Sequence, residues 1–332
     1  MSEFRKDPIT GRWVIIAAQR SQRPHQIGAS NEVHQDEPCP FCAGNEALTP
    51  PEVWALRDAN TQADIPGWSV RVVPNKYPAV ENTSQSNGIS DRFYQAVTGV
   101  GAHEVIIESP THVINLGALD EDGFANLLRA YLERTRALMA DRRWRYLLIY
   151  KNQGDRAGAT LEHVHSQLIA LPSVPKEAAD EIRGASEHYA ATGQCIYCAI
   201  IEQEIAARQR VVLDHDEFVA FCPYAPRFAY ETWILPKTHA ATFAESSPQI
   251  LIDFGRALRE TIIALNRALD NPPFNYFIHS SPTDAKSCAH YHWHLEILPQ
   301  LSRAAGFELG SGMHICSVAP ETAARLLRDR LL

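Results

Sequence analysis

Apolar residues recur at helical spacing in two long stretches of the chain. Phe124, Leu127, Leu128, Tyr131, Leu132, Leu138 and Met139 fall on one helix face, and Ile250, Ile252, Phe254, Leu258, Ile262 and Leu265 fall on another. Around them lie short runs of branched and aromatic residues, the mark of strands: residues 104–107 (EVII), 146–150 (YLLIY), 210–213 (RVVL), 218–221 (FVAF), 232–235 (TWIL) and 275–279 (NYFIH). The pattern predicts an α+β fold of mainly antiparallel sheet with crossover helices. Trp13, Trp233 and Trp293 read as core. The Ser-, Asn- and Gly-rich stretch 82–92 reads as a mobile loop.

The order of the segments repeats. The first half runs from a CPFC turn through Ser109-Pro110-Thr111-His112, a helix and a strand to His163-Val164-His165 and the apolar run 168–172. The second runs from a CIYC turn through His239, a helix and a strand to His292-Trp293-His294 and the apolar run 295–299. His112 and His163 are 51 residues apart, and His239 and His292 are 53 apart. This spacing predicts two duplicated histidine-triad-like units, an N-terminal catalytic unit over 1–174 and a C-terminal one over 193–332. A polar helical connector over 175–192 joins them.

Composition narrows the function classes. With 332 residues there is length for two ordinary domains, and 45% apolar with 21% charged residues is the balance of a soluble globular protein. No run of about 18 apolar residues offers a membrane span. A net charge of −8 with scattered basic residues speaks against a nucleic-acid surface. No apolar segment follows the charged start at residues 1–7, so a cytoplasmic protein is expected.

Four of the seven cysteines form two Cys-x-x-Cys pairs, which favour metal over disulfide in such a chain. Two thiolates and two imidazoles make a soft tetrahedral set that suits zinc. The first set is Cys39, Cys42, His112 and His163; the second is Cys195, Cys198, His239 and His292. Both are closed and therefore structural. His290 and His294 compete with His292 for the fourth place. Cys222, Cys288 and Cys316 read as buried free thiols. His103, His215 and His314 have no partner pattern and read as structural or exposed.

The pentad His163-Val164-His165-Ser166-Gln167 follows a loop carrying Gly154 and Gly158, whose backbone can approach a phosphate closely. On a strand, residues two apart share a face, so one imidazole can be anchored while the other attacks phosphorus. The loop before His292 has no glycine, which places catalysis in the first half. Gln167 can only donate and accept hydrogen bonds. It fits a leaving group that needs no proton, such as a sugar phosphate, better than amide hydrolysis.

The pentad, with residues 4–14 (FRKDPITGRWV), 20–24 (RSQRP), the CPFC turn, 73–78 (VPNKYP) and 109–112 (SPTH), resembles the galactose-1-phosphate uridylyltransferase branch of the histidine triad superfamily. The resemblance covers nearly the whole chain. It implies that His165 is the covalent nucleophile and that His163 binds structural zinc. It further implies that Arg20, Arg23, Asn75, Asn152, Thr160 and Gln167 contact nucleotide or phosphate, and that the protein is a homodimer. The expected reaction is ping-pong: His165 takes UMP from UDP-glucose and passes it to galactose 1-phosphate. Backbone amides near Gly158 to Thr160, Gln167 and an arginine would stabilise the phosphate oxygens.

The common motif reads His-Pro-His-Gly-Gln, whereas His-Val-His-Ser-Gln here is nearer to the His-Ser-His-Ser-Gln of the plant ADP-glucose phosphorylase type. The second Cys-x-x-Cys and residues 299–302 and 306–312 resemble the same branch. An ADP-sugar phosphorylase, with inorganic phosphate accepting AMP, is therefore the alternative. An intact His165 argues against a catalytically silent, zinc-stabilised nucleotide-binding protein.

Overall fold

A computed structural model describes residues 3–16, 38–83, 88–90, 92–283 and 288–331. In chain order the strands are β1 (Glu3–Lys6), β2 (Trp13–Ile16), β3 (Trp54–Arg57), β4 (Trp68–Pro74), β5 (Gly88–Ser90), β6 (Gln95–Val97), β7 (Ala102–Ile107), β8 (Tyr146–Gln153), β9 (His165–Leu171), β10 (Val211–Asp214), β11 (Phe218–Phe221), β12 (Thr232–Pro236), β13 (Phe274–His279), β14 (His294–Pro299) and β15 (His314–Cys316). The helices are α1 (Glu121–Met139), α2 (Lys176–Thr192), α3 (Ile196–Ala207), α4 (Pro248–Leu269), α5 (Gly306–Ser311) and α6 (Pro320–Arg328).

Ten strands form one sheet in the order β10-β11-β12-β14-β13-β8-β9-β7-β4-β3. Read outward from its centre, β8-β9-β7-β4-β3 mirrors β13-β14-β12-β11-β10, so the two halves meet edge to edge. Every ladder in this sheet is antiparallel, the central β8·β13 pair included. The small sheet β1-β2-β15 contains a parallel pair, β2 with β15.

The crossover helices α1 and α4 pack on one face. Asp120 caps α1 by accepting from the Gly123 N–H, and Ser247 followed by Pro248 opens α4. Phe124, Leu127, Leu128 and Tyr131 from α1 and Phe254, Leu258, Ile262 and Leu265 from α4 enter one core with Leu168 and Ala170 of β9 and Leu295 and Ile297 of β14. Because strand side chains alternate, His165 and Gln167 on β9 and His294 and Glu296 on β14 turn to the opposite face.

Several sequence expectations change here. Ile252 is 48% exposed, because it lies about 200° around the helix from the buried Phe254. Trp13 is 45% exposed, because it sits on β2 of the small sheet and not in the main core. Within 82–92, residues 88–90 form β5 and pair with β6; residues 84–87 and 91 lie outside the described set. Arg210 precedes β10 and binds Glu204 and Glu321. Helix α2 occupies the expected connector and ends at Gly193, which takes φ 74°.

Candidate active site

The CPFC turn is tied to the Ser109-Pro110 loop by the Ala43 N–H donating to the Pro110 carbonyl at 2.8 Å. Cys42 Sγ thereby lies 3.5 Å from His112 Nδ1 and 3.6 Å from His163 Nδ1, and Cys39 Sγ lies 3.5 Å from His163 Nδ1. In the second half Cys195 immediately precedes α3, Cys198 lies in its first turn, and Cys198 Sγ lies 3.4 Å from His239 Nδ1 and 3.5 Å from His292 Nδ1. Each set of four ligand atoms lies within 4.8 Å of one another. These S···N spacings match the edge of about 3.6 Å in a tetrahedron with Zn–S near 2.3 Å and Zn–N near 2.0 Å. The donor sets fit a closed metal site in each half. The ring pairs repeat as well: His112 and His163 meet at 5.3 Å and 89°, and His239 and His292 at 5.3 Å and 86°.

His163 Nε2 donates to the Ser109 carbonyl at 2.9 Å, which turns Nδ1 toward the thiols. His292 joins the second set. His290 instead lies beside Cys288, 3.3 Å from Nε2 to Sγ, and His294 lies elsewhere. His294, His279 and Glu181 form a third group whose ligand atoms also lie within 4.8 Å, a set absent from the sequence reading because Glu181 comes from α2.

The two histidines of the pentad do not share a strand. Strand β9 begins at His165, opposite Ile107, and His163 precedes it. Val164 is held between the two by its N–H to the Val113 carbonyl and its carbonyl to the Glu108 N–H. His165 Nδ1 lies 2.8 Å from the His163 carbonyl oxygen. A carbonyl only accepts, so Nδ1 carries the proton and Nε2 carries the lone pair. Burial, reinforced by the Lys151 ammonium, pushes the His165 pKa down to about 4, so the ring is neutral. Lys151 donates to the His165 carbonyl at 2.9 Å and pairs with buried Glu108 at 2.7 Å, fixing the start of β9 from beneath.

Gln167 stands opposite Tyr150 on β8 and Val105 on β7. Its Oε1 lies 2.8 Å from His103 Nε2, 3.0 Å from the Tyr150 hydroxyl and 3.2 Å from Asn75 Nδ2. His103, read from sequence as a bystander, is thus part of the site. The available signal was strand alternation, which puts 103 on the same face as 105 and 107.

Asn152 is the last residue but one of β8, and the chain then turns through Gly154 (φ 82°, ψ 154°) and Gly158 (φ 87°), conformations that favour glycine. The Gly158 and Ala159 N–H groups are engaged by the Asp155 and Gly154 carbonyls at 2.8 and 3.2 Å. The expected amide cradle does not form at these two positions, because the left-handed Gly158 closes a tight turn on itself. Thr160 is exposed at the rim. Asn152 Oδ1 accepts from Asn275 Nδ2 of β13 at 2.8 Å, and Asn275 also donates to the Ala157 carbonyl at 2.8 Å. The second half therefore braces the first half's loop. Arg20 and Arg23 lie outside the described residues.

The second half has the matching frame with other contents. His294 Nδ1 donates to the His292 carbonyl at 3.0 Å, repeating His165. Glu296 occupies the position of Gln167, with Phe277 opposite it where Tyr150 stands in the first half. Half-buried Arg227 pairs with buried Glu296 and, at 3.1 Å, with buried Glu231. Where the first half carries Gln167 and Tyr150, the second half thus holds ions of the protein's own.

Residues 1–175 match the galactose-1-phosphate uridyl transferase family, N-terminal domain. ADP-glucose phosphorylase of Arabidopsis thaliana is 35% identical over 98% of this chain and 92% of its own length. Galactose-1-phosphate uridylyltransferase of Thermotoga maritima is 27% identical over 99% of this chain and 98% of its own. The crystal structure of the Arabidopsis enzyme with bound ADP-glucose superposes with a TM-score of 0.84 at 34% identity, covering 99% of both chains.

Proposed function

The chain belongs to the galactose-1-phosphate uridylyltransferase family, and on that premise we propose that it transfers a nucleoside monophosphate from a nucleotide sugar through a covalent adduct on His165. The observation that carries this reading is the fixed tautomer of His165, whose Nδ1 is committed to the His163 carbonyl so that the Nε2 lone pair is free to attack.

In the first step Nε2 bonds to the α-phosphorus and the phosphorus–oxygen bond to the sugar phosphate breaks. The sugar 1-phosphate leaves without being protonated, its second pKa being near about 6. In the second step an oxygen of the acceptor bonds to the same phosphorus, the N–P bond breaks, and neutral His165 is restored. The carboxamides of Gln167 and Asn152 stabilise charge on the non-bridging oxygens. Zinc held by Cys39, Cys42, His112 and His163, and by Cys195, Cys198, His239 and His292, supplies cross-links that hold the loops and helix ends in place.

The adenine reading, an ADP-sugar phosphorylase, gains support from the 35% identity and the TM-score of 0.84 to the Arabidopsis enzyme, and from Ser166 in the pentad. The uridylyl reading keeps support from the Thermotoga relative over 99% of this chain. Incubating the protein with ADP-glucose or UDP-glucose alone and recording intact mass decides between them. An adenylyl adduct formed in clear preference establishes the first; a uridylyl adduct establishes the second. Steady transfer with no adduct from either would sink the covalent mechanism.

A further inference from the structure

The orientation of the Gln167 carboxamide can be traced outward from two backbone amides. The Ala79 N–H donates to His103 Nδ1 at 3.1 Å. A backbone amide only donates, so Nδ1 bears the lone pair and the neutral ring carries its proton on Nε2. That proton is directed at Gln167 Oε1, 2.8 Å away. Burial holds the His103 pKa below its ordinary value, which keeps the ring in this neutral form. Independently, the Tyr77 N–H donates to Asn75 Oδ1 at 2.9 Å, so the Asn75 NH2 is turned toward the same Gln167 oxygen, 3.2 Å away. The Tyr150 hydroxyl is a third donor at 3.0 Å. His103 Nε2 and Asn75 Nδ2 stand 3.2 Å apart, as two donors sharing one acceptor do. A flipped carboxamide would set its own N–H groups against theirs.

We propose that His103 is a positioning residue for nucleotidyl transfer: with Asn75 and Tyr150 it captures the Gln167 carbonyl, so that only the Gln167 amide nitrogen is presented to a non-bridging oxygen of the migrating phosphate. This rests on the reading of His165 as the nucleophile. The second half has lost the device. Glu296, which has no N–H to offer, stands in place of Gln167, and Phe277, which has no hydroxyl, stands in place of Tyr150.

His103→Phe keeps a ring of similar size and removes the donor, whereas His103→Gln can restore one. In single-turnover reactions with whichever nucleotide sugar loads the wild type, His103→Phe slows adduct formation about 10- to 100-fold with KM changed less than threefold. His103→Gln recovers much of the rate. In a Gln167→Ala background the same His103→Phe change costs nothing further, since its effect passes through Gln167. Nitrogen NMR of histidine-labelled wild type, with His103→Phe as the assignment control, shows the Nε2–H tautomer at His103. Wild-type rates in His103→Phe, an equal loss in the Gln167→Ala background, or an Nδ1–H tautomer overturns the proposal while wild-type loading stands. A wild type that forms no adduct from either sugar overturns the functional reading and the proposal with it. Thermal unfolding of each variant separates these outcomes from a failure to fold, in which case His103→Gln and the tautomer decide.

Discussion

His163 grips His165 through its backbone: one carbonyl oxygen, 2.8 Å from His165 Nδ1, belongs to a residue whose ring sits 3.5 Å from Cys39 Sγ. The cluster and the proposed nucleophile are thus coupled through a single backbone carbonyl. Stripping metal with a chelator, or replacing exposed His112 by Ala, is expected to lower the unfolding midpoint by several kcal/mol equivalent, with adduct formation falling as structure is lost. Metal content and calorimetry check this. About two zinc ions per chain, released as activity and the midpoint fall together, is the expected result. Activity lost at full stability would instead place the metal in the chemistry.

Replacing His165 by Gly removes the proposed nucleophile and leaves the surrounding carboxamides in place. Transfer is expected to fall by about 10⁴-fold or more. Binding of the nucleotide sugar, followed by calorimetry, should persist. Undiminished transfer in this variant would assign the covalent role elsewhere.

The duplication was legible because its punctuation is chemical: two Cys-x-x-Cys turns and two His-x-His motifs in matching order survive a reading of residue types alone. The eight cluster residues came from that spacing, and the fold brings each set of four together. What joins the halves was not legible. Tyr150 of β8 pairs with Phe277 of β13 across a long sequence separation, and such pairing leaves no local mark. His103 escaped notice for a related reason. Its partners Gln167, Tyr150 and Asn75 come from three other segments, and the alternation that sets His103 on the face of 105 and 107 does not by itself say what that face meets. Tertiary packing also decided Glu181, which a polar helical pattern would leave in solvent and which here reaches His279 at 3.0 Å.

The ion cluster around Arg227 predicts acid sensitivity. Burial alone would raise Glu296, but Arg227, His294 and His279 outweigh it and hold its pKa well below the carboxylate range; Glu181 is shifted in the same direction. Buried Glu231 is shifted up and opposes them. A carboxylate whose folded pKa is depressed stabilises the fold above its unfolded value, near 4.5, and that stabilisation is lost as pH falls below it. The unfolding midpoint should therefore drop steeply below about pH 4.5, and less steeply in Glu296→Gln. Arg227→Met leaves two buried carboxylates without their cation and should cost about 3–5 kcal/mol at pH 7. Unfolding in denaturant at several pH values tests both.

Asn275 tests whether the second half supports catalysis in the first. Its amide donates at 2.8 Å to Asn152 Oδ1 and at 2.8 Å to the Ala157 carbonyl, so it fixes both the Asn152 carboxamide and the turn before Thr160. With Asn275→Ala both acceptors lose their donor. The site is partly open, so water can take up some of the loss, and the stability cost should be near the low end of about 1–3 kcal/mol. Catalysis should suffer more than stability, because Asn152 is then free to turn its oxygen toward the phosphate. Adduct formation is expected to slow about tenfold or more, with the unfolding midpoint lowered only slightly. Asn275→Asp, which offers oxygen where the amide nitrogen stood, should slow it further by setting an acceptor against two acceptors. Equal rates in all three proteins would show that the central β8·β13 pairing holds the halves together without positioning the site.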